Sequence, residues 1–173
     1  MNVKGIIRFC AYAAIALWLS GCESEDFTKV ENSRSPLITG FESYASIPEV
    51  TSKLPKGLQV QVVGDSSLAK NSSQPPYKVH SISIAPFEHL NHSGQLLLTF
   101  YNDRLEQCFF YPDKFKSYVT AIEKTGLALE LGSEAVQGNT VIWLGKDEDQ
   151  VRFVGWADKR LREQQRRWLV RYD

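Results

Sequence analysis

Two histidines three residues apart in Glu88-His89-Leu90-Asn91-His92 have a spacing that could serve a metal ion. On a helix or a tight turn, His89 and His92 can share one ion, with Glu88 as a third ligand. A zinc site needs three or four ligands, and this segment offers no fourth. The same residues fit a solvated polar loop, so we expect no bound metal. A metal-dependent hydrolase that uses the His89/His92 loop remains an alternative.

Cys108 is the other side chain that could act as a nucleophile. It lies in the apolar run 105–111, where no neighbouring residue could serve as its base. A lone thiol in such a run is typical of burial as a small hydrophobic residue. The sequence has no Gly-x-Ser-x-Gly elbow, no zincin helix and no phosphate-binding glycine loop. Carboxylates such as Glu106 and Glu134 are scattered, so we predict no catalytic residues, no cofactor and no enzyme.

The most specific chemistry is predicted at Cys22, close to the N-terminus. Lys4 and Arg8 precede or interrupt the start of an apolar run that ends at the small pair Ser20-Gly21. A membrane-spanning helix needs about 20 apolar residues. This run is only about a dozen residues long, which is roughly the length of the apolar core of a signal peptide. Its layout is also that of a secretory signal.

The four residues 19–22, Leu-Ser-Gly-Cys, resemble the lipobox of bacterial lipoproteins. The resemblance implies that residues 1–21 are a cleaved leader. It also implies that Cys22 carries a diacylglycerol on its sulfur and an acyl chain on its amine. One acyl chain binds membranes marginally, whereas two suffice for stable anchoring. The resemblance therefore predicts a permanently anchored protein.

Glu23 follows the modified cysteine. In lipoproteins of enteric bacteria, an aspartate at that position favours retention in the inner membrane. The resemblance thus implies the outer membrane, with the domain facing the periplasm and the inner membrane as the alternative. The rest of the chain resembles proteobacterial lipoproteins with no assigned activity. The resemblance therefore implies a cellular location but no catalytic activity.

Composition bounds the remaining chain. Removal of the leader leaves 152 residues, which is the length of one domain. Loss of Lys4 and Arg8 leaves 18 basic and 20 acidic residues, a formal charge of −2. No basic field indicates a nucleic-acid partner. With Cys22 acylated, Cys108 is the one thiol left, so we predict no disulfide within the domain.

The C-terminal segment 158–172 is the most distinctive predicted surface. It is an amphipathic helix with six basic and two acidic residues. We predict partner-binding residues here, namely Arg160, Arg166, Arg167 and Trp168. The partner could be the anionic head groups of a membrane or an acidic envelope protein. The alternative is a docked helix whose basic face is merely solvated.

Hydrophobic periodicity predicts the remaining elements. Residues 22–40 are polar and are predicted to form a flexible tether, and 41–173 a single domain. Helices are predicted over 46–54, 112–125 and 158–172, and strands over 58–63, 77–85, 95–101, 105–111, 140–144 and 151–156. Loops are predicted over 64–76 and 86–94. These lengths leave little room for parallel crossovers, so we predict an α+β fold. Its antiparallel sheet has about six strands, with two or three helices packed on one face.

The sequence therefore predicts a membrane-anchored cell-envelope lipoprotein that acts as a non-enzymatic binding or assembly module. Its partners would be the membrane, through Cys22, and an envelope protein, with no small-molecule substrate evident. One alternative is a periplasmic inhibitor or immunity protein that neutralises a toxin or hydrolase. A polar loop such as 64–76 or 86–94 would then plug the target's active site. The other alternative is the metal-dependent hydrolase.

Overall fold

Seven antiparallel strands form one sheet in the computed structural model, which describes residues 25–55, 57–68 and 73–173. The described helices are α1 (Ile47–Ser52), α2 (Phe115–Glu123) and α3 (Lys159–Tyr172). The described strands are β1 (Gln59–Ser67), β2 (Lys78–His89), β3 (His92–Tyr101), β4 (Arg104–Pro112), β5 (Glu134–Gln137), β6 (Thr140–Lys146) and β7 (Arg152–Asp158). Their order in the sheet is β1-β2-β3-β4-β7-β6-β5. The α+β class with an antiparallel sheet is confirmed, with seven strands in the described chain rather than about six.

The β3–β4 hairpin follows from local chemistry. Asn102 and Asp103 have φ values of 48° and 60°. Asparagine and aspartate tolerate this left-handed conformation, which a tight two-residue hairpin turn requires. The Asn102 side chain also accepts a hydrogen bond from the amide of Lys78, at 2.8 Å. The turn thereby fixes β2 as well as the two strands that it joins.

The prediction of a loop over 86–94 is wrong. β2 continues to His89, and β3 begins at His92, so only Leu90 and Asn91 form the turn. Both turn residues have positive φ, 49° and 59°. Leucine is uncommon in that conformation, so local sequence gives little sign of a turn there. The added strand β5 was also missed, because four residues at a sheet edge carry little periodic signal.

Two apolar clusters lie against the sheet. Val50 of α1 and Tyr118 of α2 belong to the larger cluster, together with Phe100. Trp168 of α3 belongs to the second cluster, together with Tyr101. Consecutive residues of a strand point to opposite faces, so the two clusters occupy opposite sides of β3. The sequence predicts two or three helices on one face; α1 and α2 share the larger cluster, whereas α3 packs in the second.

Residues 25–46 run along the domain, although the sequence predicts a flexible tether over 22–40. Phe27 is only 1% exposed and lies in the same cluster as Trp168. Arg104 donates hydrogen bonds of 2.6 Å to the carbonyls of Phe27 and Lys29. The described part of the predicted tether is therefore docked on the domain. Polar composition concealed this, because one aromatic residue and backbone carbonyls make the contact.

Two glycines let aromatic rings pack directly against the backbone on the sheet face that carries α3. A Cβ on Gly155 would lie 2.4 Å from Cζ2 of Trp143, and one on Gly145 would lie 2.4 Å from Cζ of Phe153. The Arg162 guanidinium sits 5.1 Å from the Trp143 ring centroid on this surface. The absence of a side chain at these glycines thus allows Trp143 and Phe153 to pack close to the sheet, with Arg162 against the Trp143 ring.

Replacing Gly155 with alanine is expected to lower the free energy of unfolding by about 1–3 kcal/mol, because the added methyl overlaps the indole ring. The matched control is Gly64→Ala, where the nearest atom, Cβ of Ser81, would lie 3.5 Å away. Urea unfolding measures both. In a Trp143→Ala background, Gly155→Ala should lower the free energy of unfolding by a smaller amount. An equal loss of stability in both backgrounds would contradict the proposed overlap.

No helix among the described residues has both the length and the apolar character required to cross a membrane.

Candidate functional site

The first turn of α3 is locked to the domain by Asp158 and Arg160. Asp158 caps the helix by accepting from the amide of Arg160, at 2.9 Å. Its other carboxylate oxygen accepts from Nη2 of Arg160 at 2.6 Å and from the Ser43 hydroxyl at 2.7 Å. Arg160 also donates to the carbonyl of Ser33 at 2.9 Å. Hydrogen bonding to Arg160 and Ser43 lowers the pKa of Asp158, although burial opposes it. Arg160 thus connects the start of α3 to the N-terminal segment through hydrogen bonds.

The four residues predicted to bind a partner do not form one exposed surface. Trp168 is fully buried, and its indole N–H donates to the carbonyl of Pro75 at 3.0 Å. Arg166 is exposed and makes a bidentate contact with Glu163, at 2.7 and 2.8 Å. Arg167 is also on the outer side of α3. Of the four, Arg166 and Arg167 are exposed, each in an ion pair with a glutamate.

Arg167 connects α3 to the first described residues. Its Nη2 lies 2.9 Å from the Glu25 carboxylate. Phe27, two residues later, packs edge-on against Tyr172, with ring centroids 6.1 Å apart. The C-terminal half of α3 is therefore the place where the chain enters the domain.

A cleft of about 440 Å³ lies between α3 and the sheet. Glu106 and Gln107 of β4 and Val141 of β6 contribute to its lining from the sheet. The remaining lining residues come from β5 and α3, namely Glu134, Lys159, Arg162, Glu163, Gln165, Arg166 and Leu169. Sequence reasoning treated Glu106 and Glu134 as scattered carboxylates. The fold brings both to one cleft through pairing of strands that are far apart in the chain.

Glu106 is the unusual group of this cleft. Its side chain is fully buried, and neither carboxyl oxygen has a hydrogen-bond partner among the described residues. Glu106 occupies a bulge in β4, because Thr99 pairs with Gln107 while Phe100 pairs with Leu105. Such bulges re-aim side chains and are frequent beside functional sites.

Burial raises the pKa of Glu106 to about 7, and the charges of Arg162 and Arg104 only partly offset this. The carboxyl group therefore keeps its proton to a much higher pH than an exposed glutamate does. An unpaired buried polar group of this kind is costly to a fold. An unpaired buried carboxyl group with a shifted pKa makes this cleft a candidate binding site.

Charged pairs cover the rim of the cleft. Arg162 lies 3.2 Å from Glu134, and both side chains are about half exposed. Lys159 donates to the carbonyl of Gly138 at 3.0 Å. Ion pairs at this exposure contribute little to stability, typically about 0–1 kcal/mol. The rim can therefore rearrange at low cost when a ligand enters.

His89 and His92 face each other across the β2–β3 turn, but other partners occupy their nitrogens. Nδ1 of His89 is hydrogen bonded to the Tyr118 hydroxyl, and Nε2 lies 2.9 Å from the Thr39 hydroxyl. His92 contacts the Ser117 hydroxyl at 3.0 Å. Burial lowers the pKa of His89 to about 4, and the charge of His92 adds to the effect. His89 is thus a neutral, packed histidine.

The described residues contain no group of three or more His, Cys, Asp or Glu side chains that could hold a metal ion. Cys108 is fully buried, and burial raises the pKa of its thiol. A thiol in this state is a poor nucleophile, because the thiolate is the reactive form. The predicted lipidation residue, Cys22, lies outside the described residues.

A scan against protein-family models finds no match for this chain, and a search of curated proteins also finds none.

Proposed function

We propose that this chain is a cell-envelope lipoprotein, anchored through Cys22, whose domain acts as a non-enzymatic binding module at the membrane surface. The lipobox-like residues 19–22 support the anchor. The outer membrane, with the domain facing the periplasm, is the proposed location. An envelope protein is the proposed macromolecular partner.

One observation carries the proposal, namely that the first described residues dock on the basic half of α3. Glu25 is three residues from Cys22, and three extended residues span at most about 11 Å. Since Glu25 contacts Arg167, an acylated Cys22 would hold that arginine close to the lipid head groups. Val170, which is 77% exposed, and Arg171 follow Arg167 by three and four residues and share its side of the helix.

This end of the molecule suits a membrane surface. Basic side chains near an anionic leaflet each contribute about 1 kcal/mol to binding. Tethering raises the effective concentration, so weak contacts suffice to orient an anchored domain. The domain would then stand with the C-terminal half of α3 towards the lipid.

An environment-sensitive dye on Val170→Cys tests the anchor and the orientation together. In the mature lipidated protein the leader with Cys10 has been removed, Cys22 is blocked and Cys108 is buried, so the introduced thiol is the one that reacts. Vesicles containing anionic lipid are expected to shift the emission of the dye to the blue. The matched control is Val62→Cys on β1, which is 59% exposed and should not respond.

Two results would count against the proposal. A Cys22→Ser chain from which the leader has been removed, and which still sediments with the cell membranes, would exclude lipid anchoring as the cause of membrane attachment. An equal response at positions 170 and 62 would exclude the proposed orientation while leaving the anchor intact.

A further inference from the structure

The cleft beneath α3 separates opposite charges. The carboxyl group of Glu106 lies on the sheet side without a partner. The cations of the cleft all come from α3, namely Lys159, Arg162 and Arg166. A ligand that pairs with the Glu106 carboxylate must supply a hydrogen-bond donor. A ligand that pairs with the basic side chains of α3 must supply an acceptor.

The balance of charge restricts the ligand further. With Glu106 ionised, the lining has three carboxylates, the other two being Glu134 and Glu163, and three cations. A simple anion would leave Glu106 unpartnered. A simple cation would meet the three basic side chains of α3. A neutral ligand with separated charges avoids both penalties.

We propose that this cleft binds a zwitterionic amino-acid group, with its ammonium on Glu106 and its carboxylate on Arg162 and Lys159. This deepens the proposed function, because it rests on a binding role for the domain and names the chemistry recognised. The group can belong to a free amino acid or to a small peptide. The cleft volume is within the range of small-molecule sites, about 300–1,000 Å³.

The half-exposed Arg162–Glu134 pair is the entry to the site. The oxygens of Glu106 are closed to solvent, so a lining side chain must move for an ammonium to reach them. Arg162 is the candidate, because its charge acts more strongly on Glu106 than that of any other residue. Arginine has five N–H donors in a planar fork. It can therefore bind a ligand carboxylate while keeping one contact to Glu134.

Binding of the ligand should be coupled to release of the proton from Glu106. An ammonium group pairs with the ionised form of Glu106, and the pKa of this carboxyl is about 7. At pH 6 most of the protein carries the proton, so binding must release it. Ionisation of Glu106 favours binding about tenfold between pH 6 and pH 8, but the α-amino group of the ligand, with a pKa near 8, loses part of its charge over the same range. We therefore expect about three- to fivefold tighter binding at pH 8 than at pH 6.

Isothermal titration calorimetry of the mature chain in detergent, with alanylalanine as the probe, tests the inference. N-acetylated alanylalanine lacks the ammonium, and alanylalanine amide lacks the carboxylate. Each is expected to bind at least tenfold more weakly. Two buffers with different ionisation enthalpies should report proton release at pH 6.

Variants locate the site. Glu106→Gln and Arg162→Gln are expected to weaken alanylalanine binding at least tenfold. The controls are Glu88→Gln and Arg171→Gln, which replace exposed residues of β2 and α3 outside the cleft lining. Circular dichroism of each variant separates loss of the site from loss of the fold.

Three results would overturn the inference: no binding of alanylalanine at millimolar concentration, equal binding of the N-acetylated probe, or unchanged binding by Glu106→Gln. The dye at position 170 reports on the anchor and the orientation without using the cleft. A retained dye response together with failed calorimetry would therefore reject the ligand and leave the membrane module standing.

Discussion

Replacing Arg104 with alanine is expected to lower the free energy of unfolding by roughly 2–4 kcal/mol, because a buried acceptor left without its donor costs about 1–3 kcal/mol. Arg104 is 3% exposed. Its guanidinium donates to the carbonyls of Phe27, Lys29 and Tyr101 and to the Gln164 side chain. Alanine would leave these acceptors without their donor and open a cavity between β4 and the N-terminal segment.

The effect should be local as well as global. The Arg104 side chain lies over the Tyr101 ring, 5.2 Å from its centroid, and this packing is lost in the same variant. Residues that rely on a few long-range contacts open at lower free energy than the rest of a domain. We therefore expect the segment 25–34 to become sensitive to protease before the sheet unfolds.

Urea unfolding and limited proteolysis measure the two effects. Arg171→Ala is the control, because this arginine is exposed near the end of α3. It should change the free energy of unfolding by less than about 0.5 kcal/mol. An Arg104→Ala protein as stable as the control, or one that keeps segment 25–34 protected, would show that Arg104 does not hold the N-terminal segment.

The features that could be predicted from sequence are those with local causes. The helix predicted from residue 46 begins with a capping box, in which Ser46 and Glu49 exchange hydrogen bonds. The strands predicted over 95–101 and 105–111 pair as a hairpin, because Asn102 and Asp103 suit its turn. In each case a few adjacent residues contain the whole physical reason.

The features that could not be predicted depend on residues far apart in the chain. Phe27 is an isolated aromatic residue in a polar stretch, and only Arg104 and the α3 cluster explain its burial. Trp168 has the spacing of an interface residue and also that of a core residue, and the fold decides between them. Glu106 differs from other glutamates through the β4 bulge and the helix above it.

Glu106 and His89 are expected to oppose each other in the pH dependence of stability. The pKa of Glu106 is raised to about 7 in the folded chain, from an ordinary value of 4.5. Between these values the unfolded chain loses the proton and the folded chain keeps it. Stability from this group is therefore lost as pH rises from 4.5 to 7.

His89 acts in the other direction. Its pKa is lowered to about 4 in the folded chain, from 6.5. As pH falls from 6.5 to 4, the unfolded chain takes up a proton that the folded chain does not. Stability is lost in that direction. Each effect is on the order of 3 kcal/mol, since one pH unit is worth about 1.4 kcal/mol.

Single variants should separate the two groups. Relative to the original chain, Glu106→Gln is expected to gain stability as pH rises from 4.5 to 7, because it removes the cost of ionising a buried carboxyl. His89→Gln is expected to gain stability relative to the original chain as pH falls from 6.5 to 4.5. Urea unfolding at pH 4.5, 5.5, 6.5 and 7.5 measures both differences.

The comparison with the original chain is the control, because other titrating groups contribute equally to all three proteins. Asp158, whose pKa is lowered by its hydrogen bonds to Arg160 and Ser43, destabilises all three alike in acid. Differences of the same sign for the two variants, or no pH dependence in either, would contradict the assignment. Opposite slopes would establish Glu106 as a carboxyl group that the fold buries at a cost, which is the property that its proposed ammonium ligand would relieve.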